Sequence, residues 1–132
     1  MILADTSAWV EFDRATGSDT HRRLRALLAE DGPIAVTEPV IMEMLAGAGD
    51  ARRERQLRGL MLRCELLAFD SSADFDQAAR IYRRCRESGI KPRGIVDCMI
   101  AAVALRTGAS LLSGDADLHR IASVIGLAVE PA

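Results

Sequence analysis

The sequence predicts an α/β domain of three layers, α/β/α, in which a central and mostly parallel sheet of about five strands lies between helices. Three observations predict it. Short apolar runs alternate with longer segments of 3.6-residue period, the pattern of strands joined by crossover helices rather than by hairpins. Cap and turn residues fall at the joints between them. Acidic residues follow the first and fourth strand candidates, and parallel sheets bind ligands beyond the carboxyl ends of their strands, at a topological switch point.

Taken in order, residues 2–4 (Ile-Leu-Ala) form the first strand candidate and residues 7–14 a helix, with Trp9 and Phe12 spaced to anchor it on the sheet. A helix over 19–30 leads to a strand over 34–36. Pro39 suits the first turn of a helix over 39–46, because a residue there needs no backbone N–H. A helix over 51–63 and a strand over 65–68 follow. Ser72 is a candidate N-cap for a helix over 72–88, with Gly89 as its stop. The segment 95–107 is nearly all apolar and is expected to be a buried helix whose start lies within the protein, stopped by Gly108. A strand over 110–112, a helix over 117–125 stopped by Gly126 and a strand over 128–129 complete the chain. No repeat, linker or low-complexity tract divides it, so all of 1–132 reads as a single domain.

Composition excludes several classes. With 49% hydrophobic and 27% charged residues, the chain can bury a core and is not intrinsically disordered. The opening apolar stretch is broken at Asp5, too early for a signal-peptide core, and no run approaches a membrane span, so the expected location is the cytoplasm. Cys64, Cys85 and Cys98 are odd in number and lack a Cys-x-x-Cys pair, which indicates neither a disulfide framework nor a zinc knuckle. Lys91 is the sole lysine and every other cation is arginine. That bias suits phosphate, and equally a compositional habit of the source genome, so the net charge of −2 neither requires nor excludes nucleic acid.

The informative residues are carboxylates in apolar company. Asp5 closes Met1-Ile2-Leu3-Ala4, and Glu43 is the only charge between Glu38 and Asp50. Asp97 is the only charge between Arg93 and Arg106, and Asp115 and Asp117 follow Leu111-Leu112. Each has an ordinary structural explanation to weigh. Asp5 can cap a helix, Asp97 can favour a helix dipole from its first turn, and Asp115 and Asp117 can belong to a loop and N-cap. Glu43 lies too deep in its helix for capping. His21 and His119 lack metal-ligand spacing and read as surface imidazoles, whereas Met42, Met44 and Met99 read as core.

Ionised carboxylates lose several kcal/mol on leaving water. Two of them about 4 Å apart repel by roughly 4 kcal/mol at an effective dielectric of 20. A shared divalent cation removes that conflict. Oxygen-only donors suit Mg²⁺ or Mn²⁺, since zinc would recruit His or Cys. Such an ion can polarise a water against a phosphodiester while nearby cations hold the phosphate backbone. Lys91-Pro92-Arg93-Gly94, directly before the Asp97 segment, is a candidate for that hold.

Four segments in order then bear a resemblance: Ile2-Leu3-Ala4-Asp5-Thr6-Ser7-Ala8-Trp9-Val10-Glu11, Glu38-Pro39-Val40-Ile41-Met42-Glu43-Met44-Leu45-Ala46-Gly47, Asp97-Cys98-Met99-Ile100-Ala101-Ala102 and Gly114-Asp115-Ala116-Asp117-Leu118. The chain resembles PIN-domain endoribonucleases and, more narrowly, the VapC toxins of bacterial toxin–antitoxin pairs, over essentially its whole length. The resemblance implies a PIN-like fold and an acidic Mg²⁺ site. Asp5, Glu43, Asp97 and Asp115 would be catalytic, with Asp5, Asp97, Asp115 and Asp117 on the metal and Thr6, Arg93 and Ser113 meeting substrate. It also implies an RNA substrate such as tRNA, a homodimer, and a VapB-like antitoxin lying along a groove walled by the helices over 39–46 and 51–63. Leu118 stands where the family usually has an aromatic, and Ser113-Gly114 departs from its usual loop. Two other readings stay open, a non-catalytic RNA-binding or assembly module of the same fold and an Asp-phosphoacceptor domain. The second lacks an Asp-x-Asp after the first strand, where position 7 is Ser, and its Lys91 precedes the Asp97 helix.

Overall fold

A computed structural model describes residues 1–131. Among these residues the elements run β1 (Ile2–Ala4), α1 (Thr6–Asp13), α2 (Asp19–Ala29), β2 (Ile34–Val36), α3 (Glu38–Ala46), α4 (Ala51–Met61), β3 (Glu65–Leu66), α5 (Asp74–Glu87), α6 (Ile95–Thr107), β4 (Ser110–Leu112), α7 (Ala116–Ile125) and β5 (Val129–Glu130). The strands form one sheet in the order β3-β2-β1-β4-β5, and every pairing is parallel. Leu3 pairs with Ala35 on one side and Leu111 on the other, which makes β1 the central strand. From β1 the chain builds outward to β3, then crosses to β4 and β5. The direction therefore reverses between β1 and β4, and a crevice opens beyond their carboxyl ends.

The centre of the sheet is dry: Leu3, Ala4, Ala35, Leu111 and Leu112 are fully buried. Helix α6 covers it with Cys98 and Ile100–Ala104, all buried, and small residues let the helix approach the strands closely. Trp9 is buried, and its ring meets the Phe12 edge at a centroid distance of 6.1 Å. Helices α5 and α6 run antiparallel, pinned at one end where Arg106 Nη2 and Nε donate to the buried Asp74 carboxylate at 2.8 and 2.9 Å. The other end of that pair, with Asp97, is thereby directed to the crevice. No helix of the described residues is long and apolar enough to cross a membrane.

Several local expectations are corrected. Ser72 does not cap α5; its amide and hydroxyl both donate to Asp70 Oδ1, and the helix begins at Asp74 with no side-chain cap. β3 ends at Leu66, short of residue 68, and β5 lies one residue later than expected. Helix α6 does not start inside the protein: Ile95 is 47% exposed and burial sets in at Cys98. Met42 is 53% exposed rather than core, because α3 turns that face to solvent, and only Met44 of the three methionines is buried.

Candidate active site

Beyond the carboxyl ends of β1 and β4 lies an open cleft of about 710 Å³. Asp5, Glu43, Asp97 and Asp115 all line it, with Thr6, Ser7, Glu11 and Arg93. Asp5 is the N-cap of α1 and is almost fully buried. Its Oδ1 accepts from Ala8 N at 2.8 Å and Ser7 Oγ at 2.7 Å, and its Oδ2 accepts from Ser113 Oγ at 2.6 Å. The capping role and the cleft position are thus held by one carboxylate. Burial pushes its pKa up to about 6, against the opposing pull of the Ser113, Ser7 and Ala8 hydrogen bonds.

Asp97 stands in the first turn of α6, whose N-cap Gly94 supplies no side chain. Burial raises its pKa to about 7, and the charges of Asp115, Asp5, Glu43 and Asp117 each add to that rise. Four carboxylates drawn from distant parts of the chain therefore bear on one. Glu43, midway along α3, accepts from Thr6 Oγ1 at 2.5 Å. Asp115 is the N-cap of α7, with Oδ1 accepting from Asp117 N at 2.9 Å. Its two oxygens also accept from Arg93 Nη2, at 2.6 and 2.7 Å.

Three expected site residues are committed to partners within the protein. Ser113 is fully buried; its hydroxyl donates to Asp5 and accepts from Asp115 N at 3.0 Å. Asp117 is buried outside the cleft lining. Its Oδ2 accepts from Arg93 N at 3.1 Å, and its Oδ1 lies 3.4 Å from Arg120 Nη2. Thr6 lines the cleft, with its hydroxyl committed to Glu43. His119, expected at the surface, is half-buried, and its Nε2 lies 2.8 Å from the Ser113 carbonyl, within hydrogen-bonding distance.

Two contributors escaped the sequence reading. Ser7 links Asp5 to the 113–114 loop, since Gly114 N donates to Ser7 Oγ at 3.0 Å. Glu11, one helical turn on from Ser7, lines the same cleft, and its Oε2 is buried without a hydrogen-bond partner. Gly114 packs closely beside it, and a Cβ there would displace the Glu11 carboxylate, coming within 2.9 Å of its Cδ. The i to i+4 spacing of Ser7 and Glu11 was the available signal.

The donor set is oxygen only, as Mg²⁺ or Mn²⁺ requires. As they stand, no three acidic, histidine or cysteine groups among the described residues are close enough together to hold a metal ion.

Comparison with known proteins agrees with this architecture. Residues 2–124 match the PIN domain family. A VapC ribonuclease of Mycobacterium bovis is 46% identical over 128 residues, covering 96% of each chain. The chain belongs to the VapC family of PIN-domain proteins. Ribonuclease VapC11 of Mycobacterium tuberculosis shows the same identity and coverage to this VapC-family chain. VapBC2 from Rickettsia felis, solved bound to a DNA fragment from their promoter, aligns with a TM-score of 0.71 at 20% identity, covering 98% of both chains. That structural likeness speaks for the VapC fold.

Proposed function

We propose that this chain is a metal-dependent endoribonuclease, the toxin of a VapBC-type pair, which hydrolyses RNA phosphodiesters. The observation that carries the reading is Asp97. Its carboxylate opens into the cleft while the charges of four other acids bear on it, an arrangement that costs stability unless a cation is shared. The names borne by the 46%-identical relatives supply the substrate class, RNA.

Asp5, Asp97 and Asp115 would hold the cation, with Glu43 facing them. A bound Mg²⁺ or Mn²⁺ would supply a polarised water and offset charge at the phosphodiester. The chain's own groups do the rest. Ser7, Ser113 and the Ala8 amide fix the Asp5 carboxylate by three hydrogen bonds, and Thr6 fixes Glu43. Asp117 acts through the Arg93 backbone rather than on the ion, which sets where the Arg93 side chain enters the cleft.

A VapB-like antitoxin and a second copy of the chain complete the proposal. Pro39, Met42, Phe69 and Met99 line an apolar notch of about 190 Å³ beside α3, which suits an antitoxin segment. The test is cleavage of single-stranded RNA and tRNA by the intact chain. It should require Mg²⁺ or Mn²⁺, stop in EDTA, and fall at least about 100-fold in Asp5→Asn and Asp97→Asn with the fold unchanged. Cleavage undiminished in EDTA, or as fast in both variants as in the unaltered chain, would overturn it.

A further inference from the structure

Among the described residues, Arg93 is the one cation that lines the acidic cleft. Its backbone is anchored, because its N–H donates to the buried Asp117 carboxylate at 3.1 Å. Its side chain is 70% exposed and more loosely held: Nη2 meets both oxygens of Asp115, at 2.6 and 2.7 Å, and Nε lies 3.8 Å from Asp117 Oδ2. Arg120 differs. It lies 3.4 Å from Asp117, outside the lining of the cleft. Arg93 thus already occupies the Asp115 oxygens that a divalent cation would need.

We propose that Arg93 is an exchangeable internal occupant of the cleft. Its guanidinium holds Asp115 in the metal-free protein, yields that carboxylate to a divalent cation, and is then free to bind an RNA phosphate. The inference rests on the function proposed above. It deepens that reading by giving one side chain two successive partners, both anionic. The chemistry suits arginine, whose planar, permanently charged fork binds carboxylate and phosphate alike. The geometry suits exchange, because a solvent-exposed ion pair contributes little to stability and a swing of the side chain leaves the backbone anchor in place.

Opposite signs in two binding measurements test the proposal. Mg²⁺ and Mn²⁺ titrations of the full chain without RNA should show Arg93→Ala binding the ion about three- to tenfold more tightly than the unaltered protein. With the ion present, and in a Glu43→Gln background that blocks cleavage while keeping the residues that hold the ion, Arg93→Ala should bind a short single-stranded RNA more weakly, with a salt slope smaller by about one. Arg120→Ala controls for charge acting through space and should shift ion affinity less than twofold. A ¹⁵N signal from the Arg93 Nε should move with ion concentration at the midpoint found by calorimetry. Equal or weaker ion binding by Arg93→Ala, or an equal gain in Arg120→Ala, overturns the exchange and leaves the nuclease reading standing. Absence of ion binding in every variant overturns both.

Discussion

Replacing Asp97 by asparagine should stabilise the metal-free protein, by an amount that grows with pH. The Asp97 carboxylate has a pKa raised from 3.8 to about 7, first by burial and then by its acidic neighbours. A raised folded-state value means that the native protein prefers the proton. This contribution is fully present below the unfolded value, near 4, and is lost as pH rises through the folded value near 7. A shift of roughly 3 units corresponds to about 4 kcal/mol if taken whole. Asp97 is only half-buried and opens on the cleft, so solvent screening reduces this to about 1–2 kcal/mol. Asparagine has nearly the same shape and no charge. Urea unfolding in EDTA should therefore show Asp97→Asn more stable than the unaltered chain by ~1–2 kcal/mol at pH 8, and within about 0.5 kcal/mol of it at pH 4. Saturating Mg²⁺ should narrow or reverse the gap at pH 8, since only the unaltered site gains the full ligand linkage. The reasoning fails if the variant gains nothing at pH 8, or gains equally at both values.

Two further outcomes follow from the loop that joins β4 to α7. Ser113→Ala removes a donor to Asp5 and the acceptor for Asp115 N. It should lower unfolding free energy by about 1–3 kcal/mol in denaturant melts, and reduce RNA cleavage through misplacement of Asp5. Gly114→Ala should cost about 1 kcal/mol alone but much less in a Glu11→Ala background, because the added Cβ meets the Glu11 carboxylate; a double-mutant cycle with no coupling would refute that contact.

Much of the architecture could be read from the chain because each element carries its own marks. The alternation of Ile2–Ala4, Ile34–Val36 and Ser110–Leu112 with amphipathic segments specifies a parallel sheet, and Gly108 and Gly126 take left-handed φ values of 74° and 76° where the stops were expected. Asp97 stood out because it is the only charge between Arg93 and Arg106, in an otherwise apolar segment. Other features depend on closure between distant segments and leave no local trace. Ser113 turns inward because Asp5, 108 residues earlier, needs a donor. Arg93 reaches Asp115 only once α6 and α7 are packed together. Met42 was misread because its apolar neighbours suggest core, whereas α3 has too few covering elements to bury every face.

The strand order also governs timing. β1 precedes the other four strands of the sheet in sequence, yet it is the middle of the finished sheet, and one of its two flanking strands arrives only at residues 110–112. Until then β1 has an open edge, Asp5 lacks its Ser113 donor, and neither Asp97 nor Asp115 is seated on a completed sheet. The cleft is therefore complete only once β4 and the loop after it have joined β1. A chain interrupted before β4 lacks the far wall of the cleft and carries an unpaired strand edge, which leaves it prone to aggregation.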